Sequence, residues 1–521
     1  MQTEILYKDA AKRALQKGIN TLAKAVGVTM GPKGRNVVLA KKSQVPEIIN
    51  DGVTIAKEIF LENSIENAGA SLVKEAAAKT NEIAGDGTTT ATILAHSMIK
   101  EGLRYTSSGS NPLVIKRGML KSIKFVNDQI LEITQPIQNT ADICQVATIS
   151  ANNDITIGEI IAKAFQKAGR EGIISLEEGK STQTSLEITE GMQFDKGFLS
   201  PYFTTNNAEI IKNNPYILLT DQNLTSIQKE IIPILEIIAK TKKSLIIIAR
   251  DIDQKPLSTL IMNKLKKRID VIAIKSPGFG NDVTDFLEDI SILTEGTLIN
   301  ETHGYKFNNL ELKMFGEAKQ VIINKNSTTI IANKKKSKVQ ERCNFIRKQI
   351  EISDSMYEKE KLENRLAKLS GGVAIIKIGA STEVEMREKK LRFEDAINAT
   401  KAAIGEGILP GGGSSLAHIA NKLNLWASNN LNEEEAIGAT IVSKALTAPL
   451  QQIVENAGQS GAFILDKLYD HSTDIGYNAQ LDKFANLFQI GIIDPAKVTR
   501  CALQNATSVA SMILTTDCVI P

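Results

Sequence analysis

The sequence predicts a multi-domain protein of mixed α and α/β class, in which two mostly helical ends enclose a strand-rich insertion. Three observations predict it. Apolar residues recur at helical spacing up to residue 133 and again from Glu383 to the end. Short apolar runs alternate with helical stripes between Gly172 and Ile378. The 521 residues are also too many for one hydrophobic core, since domains average about 150 residues.

In chain order, residues 8 to 27 form an amphipathic helix with Ala11, Ala14, Leu15, Ile19, Leu22 and Ala23 on one face. Thr29-Met30-Gly31-Pro32-Lys33-Gly34 follows as a sharp loop. Val37–Leu39 and Ile48–Asn50 read as short strands, and Asp51-Gly52-Val53-Thr54 as a turn into a helix in which Asp51 is either an N-cap or a ligand-facing carboxylate. Helices are expected over 64–84, 91–103 and 112–133. Beyond Gln135-Pro136 the character changes. Helices at 142–149 and 155–168 lead into strands at 172–176, 184–190, 216–219, 245–249, 271–275 and 321–323, with helical stripes at 227–239 and 257–265. Residues 336 to 369, rich in Lys and Glu, read as two long helices with a solvated charged face, and Gly371–Ile378 as a strand.

Composition excludes several classes. Hydrophobic residues make up 42% and charged residues 23%, and 62 Lys+Arg against 59 Asp+Glu leave a net charge of only +3. That balance, without interleaved aromatic and basic residues, argues against a nucleic-acid binder or an anionic-membrane binder. No apolar run approaches the ~20 residues needed to span a bilayer. The N-terminus reads as neither a signal nor a transit peptide. Cys144, Cys343, Cys501 and Cys518 are widely spaced, as are His96, His303, His418 and His471, so no zinc or disulfide framework is expected. Ser414-Ser415 near His418 reads as a helix start rather than a nucleophile and its base.

The stretch with the most chemistry is Gly85-Asp86-Gly87-Thr88-Thr89-Thr90, which opens the apolar helical run from Ala91 to Ile99. Two glycines admit close backbone approach, and a helix start offers free N–H groups to phosphate. A carboxylate between them could hold a cation that binds the phosphate in turn. Taken alone, the plain reading of the stretch is a turn followed by a threonine-capped helix. Arg392-Phe393-Glu394-Asp395-Ala396 puts two carboxylates in a helix, where a solvated ion-pair cluster is the plain reading. Gly405–Gly413 is glycine-dense, but helical sequence precedes it where a dinucleotide fingerprint requires a strand. Gly476–Ala479 and Ile493-Asp494-Pro495 read as polar turns able to reach a base or ribose.

Taken together, several segments resemble the group I chaperonins (the GroEL family, or 60 kDa chaperonins), in order and from about residue 8 to 518. They are Val28–Leu39, the GDGTTT stretch, Gly191–Asp195, Leu199–Phe203, Pro277-Gly278-Phe279-Gly280, Glu383–Met386 and Asp494–Arg500. The resemblance implies an equatorial ATPase domain from residues 1–132 and 406–521. It further implies an intermediate hinge domain from 133–189 and 374–405, and an apical domain at 190–373. It places the nucleotide phosphates at Thr29, Met30, Gly31 and Pro32 and at Asp86, Gly87, Thr88, Thr89 and Thr90, with Asp86 as the Mg²⁺ ligand. Gly412, Asn478, Ala479, Gln480 and Asp494 would hold ribose and base. Asp395 would orient the attacking water, and Asp51 would lie near the transferred phosphoryl group. ATP, Mg²⁺ and K⁺ are the implied cofactors.

On the apical side the family's binding residues fall on Phe198, Tyr202, Phe203, Ile232, Leu235, Leu257, Ile261 and Met262, which core packing would otherwise explain. The implied partners are further copies of the chain in two stacked seven-subunit rings, a GroES-like co-chaperonin and unfolded client proteins, with no nucleic acid and no membrane. Asn50-Asp51-Gly52 resembles cyanobacterial and plastid members, and Gln451 and Gln459-Ser460 stand where relatives carry charged residues at contacts between subunits or rings. The glutamines put the stability of a double ring in question, whereas the Asn50-Asp51-Gly52 match, the absence of a transit-peptide pattern and the wealth of Ile, Asn and Lys lead to an expected plastid-encoded protein of the chloroplast stroma, with a bacterial cytoplasm as the alternative. The rival functions are a metabolic enzyme with a dinucleotide-type fold and a ring scaffold without ATPase activity; Asp51, Asp86 and Asp395 argue against the scaffold.

Overall fold

The computed structural model describes residues 5–40, 47–49, 51–169, 172–179, 181–204, 209–241, 243–278, 282–300, 305, 307–332, 336–353, 355–370 and 372–520. Asn50, Phe279, Gly280 and His303 lie outside them. The chain divides into two compact units: Met1–Lys163 with Lys180–Gln183 and Ile378–Pro521, and Ala164–Gly179 with Thr184–Lys377. Segments 133–189 and 374–405 are divided between these two units.

The first unit begins with β1 (Leu6–Tyr7) and α1 (Lys8–Gly27), whose buried face includes Leu15, Ile19 and Leu22. The hairpin β2 (Val37–Leu39) and β3 (Glu47–Ile49) precedes α2 (Gly52–Glu58). Asp51 caps α2, accepting from the Val53 N–H at 3.0 Å, the Thr54 N–H at 2.9 Å and the Thr54 hydroxyl at 2.6 Å. Four long helices follow with one short partner: α3 (Ser64–Ala84), α4 (Thr88–Ser107), α5 (Pro112–Ile133), α6 (Thr140–Ser150) and α7 (Ile155–Ala168). Asn63, Asn111 and Asn139 cap α3, α5 and α6.

The second unit holds two sheets. The strands are β4 (Ile173–Glu178), β5 (Ser185–Phe194), β6 (Ile210–Asn213) and β7 (Tyr216–Leu224); a π turn at Ile227–Ile231 leads into α8 (Ile232–Ala239). Next come β8 (Leu245–Ile252), α9 (Gln254–Leu265), β9 (Val271–Lys275), α10 (Asp282–Thr294), β10 (Leu298–Ile299), β11 (Gly316–Glu317), β12 (Gln320–Ile323) and β13 (Thr328–Ile331). The helices α11 (Lys336–Ile352) and α12 (Met356–Ser370) and the strand β14 (Gly372–Ile378) complete it. One sheet runs β10-β7-β8-β9 in parallel, with β11 antiparallel on β7; the other runs β4-β14-β5-β13-β12-β6. The parallel strands read as continuous apolar runs because both their faces are covered, and Ile246, Ile247, Ile272 and Ile274 are fully buried.

Two expectations fail in this unit. Phe203, only 2% exposed, and Leu235, at 9%, belong to its core. Phe203 sits at the end of a 3₁₀ turn whose proline and serine cap turn its ring inward, while its neighbour Tyr202 stays 69% exposed. The charged pair α11–α12 is not wholly solvated either. Arg342 and Arg365 both bind the fully buried Asp289 of α10, Arg365 also reaches Asp285, and Lys361 reaches Asp282.

The chain then returns to the first unit through α13 (Glu383–Glu406), β15 (Ile408–Pro410), α14 (Ser414–Asn430), α15 (Glu433–Asn456) and α16 (Gly461–Leu468). The hairpin β16 (Ile475–Asn478) and β17 (Lys483–Asn486), then β18 (Ile493–Pro495), α17 (Ala496–Thr515) and β19 (Cys518–Val519), end it. Gly476–Asn478 and Ile493–Pro495 are therefore short strands, not turns, because β16 pairs with β17 and β18 with β15. β19 pairs with β1, joining the two ends of the described chain. The unit's core is formed by α1, α3, α4, α5, α14, α15 and α17 together, including Ile99, Met119, Leu446 and Leu503.

Candidate functional site

A cavity of about 610 Å³ opens in the first unit, within the ~300–1,000 Å³ typical of small-molecule sites. Its wall contains Thr29, Met30, Gly31, Pro32, Asp51, Asp86, Gly87, Thr88, Thr89, Thr90, Asp395, Gly412, Asn478, Ala479, Gln480 and Asp494. Residues from seven separate stretches of chain thus face one space.

The floor is the α3–α4 junction. Gly85 ends α3 at φ 73° and Gly87 begins α4 at φ 87°, both left-handed, so the chain reverses around Asp86 with no Cβ on either side. A Cβ at Gly85 would stand 2.4 Å from the Asn398 Cβ on α13, and one at Gly87 would stand 2.6 Å from Val498 on α17. The helix is seated by what these glycines lack. Because Gly87 has no side chain, α4 has no side-chain cap, and its first-turn N–H groups at Thr88–Thr90 face the cavity unclaimed by one. Opposite, the Thr29–Gly34 loop turns at Gly31, φ 86°, with the Gly34 N–H bonding the Gly31 carbonyl at 2.9 Å. The other rim is glycine again: at Gly412, φ 63°, a Cβ would meet only the Tyr477 carbonyl, at 4.0 Å, so the backbone there is open to a ligand.

Charge gathers on one side. Asp86 is pushed up to about 6, first by burial and then by the charge of Asp51, against the stabilising Gly87 N–H and Ser150 hydroxyl. Asp395 is raised well above the usual carboxylate range by burial, then by the charges of Asp86, Asp51 and Glu394. Asp494 is pushed up to about 6 by burial and by Asp86, although it accepts from the Gly412 and Gly413 N–H groups. Carboxylates that raise one another in this way are relieved by a cation. Among the described residues no three His, Cys, Asp or Glu side chains converge to hold a metal by themselves. The raised Asp86 beside the open N-terminus of α4 fits a cation such as Mg²⁺, which takes one or two carboxylates and completes its shell with phosphate oxygens and water.

Asp395 lies in this wall, as the resemblance implies and unlike the solvated cluster that its segment alone would suggest, because α13 turns that face inward. Several wall residues carried no sequence signal. Cys144, Gln145, Thr148 and Ser150 come from α6, and the tandem Asn152-Asn153 that follows adopts φ of 58° and 63°. The candidate serine and histidine do not pair: Ser415 donates to the Pro410 carbonyl, and His418 bonds the Ile475 carbonyl at 3.0 Å. Gly405 lies inside α13, and the short β15 before Gly411 pairs antiparallel with β18, so the βαβ unit of a dinucleotide fold is absent around these glycines.

A glycine-walled cavity with an open helix N-terminus and convergent aspartates, built from both chain ends around an α/β insertion, defines a nucleotide-dependent protein machine. Residues 22–521 match the TCP-1/cpn60 chaperonin family, and the chain belongs to it. It is 54% identical over 522 residues to the chloroplastic chaperonin GroEL of Gracilaria tenuistipitata var. liui, covering 100% of this chain and 99% of that protein. Its fold is shared with the chaperonin gp146 of bacteriophage EL 2 (Pseudomonas aeruginosa), crystallised in the presence of ATP-BeFx. The two crystal forms give TM-scores of 0.72 and 0.66 at 21% identity, covering 100% of this chain and 99% of that one. The protein is an ATP-dependent molecular chaperone that assists protein folding.

Proposed function

We propose that this cavity binds ATP with Mg²⁺ and hydrolyses it to drive a folding cycle. The observation that carries the reading is the convergence of Asp51, Asp86 and Asp395 on the open N-terminus of α4. The N–H groups of Thr88–Thr90 and the Thr29–Pro32 loop would hold the phosphates, and Asp86 would hold Mg²⁺, which would neutralise phosphate charge when bound. K⁺ is the expected second cation beside the phosphates. Gly412, Asn478, Ala479, Gln480 and Asp494 line the ribose and base side. Asp395 would orient a water on the γ-phosphorus and take its proton as the bond to ADP breaks. Asp51 stays fixed by its three bonds within α2 and adds negative charge that keeps a cation in place.

In the second unit, Tyr202, Ile232 and Met262 are exposed, and Phe198, Leu257 and Ile261 are partly so. These apolar groups would take up exposed apolar surface of unfolded clients. Segments 133–189 and 374–405 would serve as the hinge. Copies of the chain would close into two stacked seven-subunit rings with a GroES-like lid, in the plastid stroma and encoded there. The relative from a red-algal chloroplast supports the plastid assignment.

The test is Asp395→Ala. Phosphate release should fall roughly 10²–10⁴-fold, while MgADP still binds. Unchanged turnover would remove Asp395 from the reaction.

A further inference from the structure

The phosphate-side loop makes backbone bonds of its own, from the Met30 N–H to the Gly27 carbonyl at 3.2 Å and from the Arg35 N–H to the Val28 carbonyl at 2.8 Å. Two of its carbonyls also accept from a side-chain amide in the last turn of α15, more than 400 residues away in sequence. Asn456 Nδ2 donates to the carbonyl oxygens of Gly27 and Met30, each at 2.8 Å. Gln452, one turn earlier, donates to Asn456 Oδ1 at 3.0 Å, which fixes the amide so that its two N–H groups face the loop. Between them Ile453 lies under Gly31, where a Cβ would stand 2.9 Å from its Cγ2. Gln452, Ile453 and Asn456, within the last two turns of one helix, therefore form a socket for the loop.

The same helix end also touches the opposite wall. Beyond α15, Gln459 donates to Asp482 at 3.0 Å, and Asp482 accepts from the Tyr477 hydroxyl at 2.5 Å. Tyr477 belongs to β16, which carries Asn478 into the cavity.

From this geometry we infer that the C-terminal turn of α15 is a clamp that sets the nucleotide site, with Asn456 as its positioning residue. Asn456 shapes Thr29–Pro32, and Gln459 tethers the β16–β17 hairpin. The inference rests on the nucleotide reading of the cavity. Asn456 touches no reacting atom, so its loss acts on affinity more than on turnover.

The experiment is isothermal titration of MgADP into the full-length protein and into Asn456→Ala and Asn456→Asp, with phosphate release measured at saturating ATP. Aspartate keeps the shape of asparagine but, when ionised, has no donor for the two carbonyls. The expected result is an MgADP Kd raised about 10-fold in both variants, with kcat changed less than about 2-fold. The control is Lys121→Met, which removes the bond from α5 to Glu435 at the far end of the same helix and should lower Tm without moving Kd. If the Asn456 variants lower Tm like the control and leave Kd unchanged, the clamp is overturned. If the unaltered protein binds no MgADP, the nucleotide reading falls first and the clamp with it. Should both Asn456 variants fail to fold, hydrogen exchange of the unaltered protein decides. MgADP-induced protection of residues 452–459 together with 28–34 supports the clamp, and protection confined to 28–34 overturns it.

Discussion

His96 on α4 bonds Asn20 on α1 at 2.8 Å, and its ring is pushed down to about 4, first by burial and then by the charges of Lys100 and Lys24. An unfolded histidine titrates near 6.5, so between pH 6.5 and 4 the unfolded chain takes up more protons than the folded one. The stability this neutral ring contributes is present above pH 6.5 and is lost as pH falls through that window. Thermal melts should show a His96 contribution of on the order of 1–2 kcal/mol lost between pH 7 and pH 5; His96→Gln should flatten that dependence. Asp51 shows why single residues mislead. Its sequence context fits both a helix cap and a site carboxylate, and the structure satisfies both, since a side chain that caps α2 also lines the cavity. Phe203 shows the opposite case, because exposure is not written in an aromatic residue but in which way its turn is aimed.

Among the elements, α10 and the α11–α12 pair are tied by charges that local sequence cannot pair. Asp289 is fully buried and shared by Arg342 and Arg365. Removing one partner of a buried ion pair leaves the other charge uncompensated. Arg365→Met should therefore cost on the order of 3 kcal/mol, read as a lower midpoint of the denaturant transition that reports the second unit. A variant as stable as the parent would show that Arg342 alone satisfies Asp289. Helix boundaries, by contrast, were legible. The periodic apolar stripes place α1, α3, α5 and α7 within a few residues of their observed ends, because amphipathicity is a local property of the sequence. The strands β16 and β18 were read as turns, since a strand of three or four residues is defined by its partner and not by its own pattern.

At the scale of the whole molecule, the proposed function assigns nucleotide to the cavity of one unit and clients to an apolar surface of the other. Tyr202, Ile232 and Met262 are the exposed part of that surface, so replacing all three with serine should weaken capture of a denatured client at least about 10-fold. Light scattering of an aggregating client measures this, and ATP turnover of the unstimulated protein should not change. Equal suppression of aggregation would move client binding elsewhere.

By itself the sequence determined the two helical ends, the α/β insertion and the family, because periodicity and ordered motifs along 500 residues are properties of the chain alone. It also named the aspartates and glycines of the cavity, through their motifs. Only the tertiary structure decided which of them meet, that α6 and α15 complete the wall, and which apical residues stay outside the core. Those outcomes depend on how faces distant in sequence pack, and a helix stripe shows that a face will be buried without showing against what.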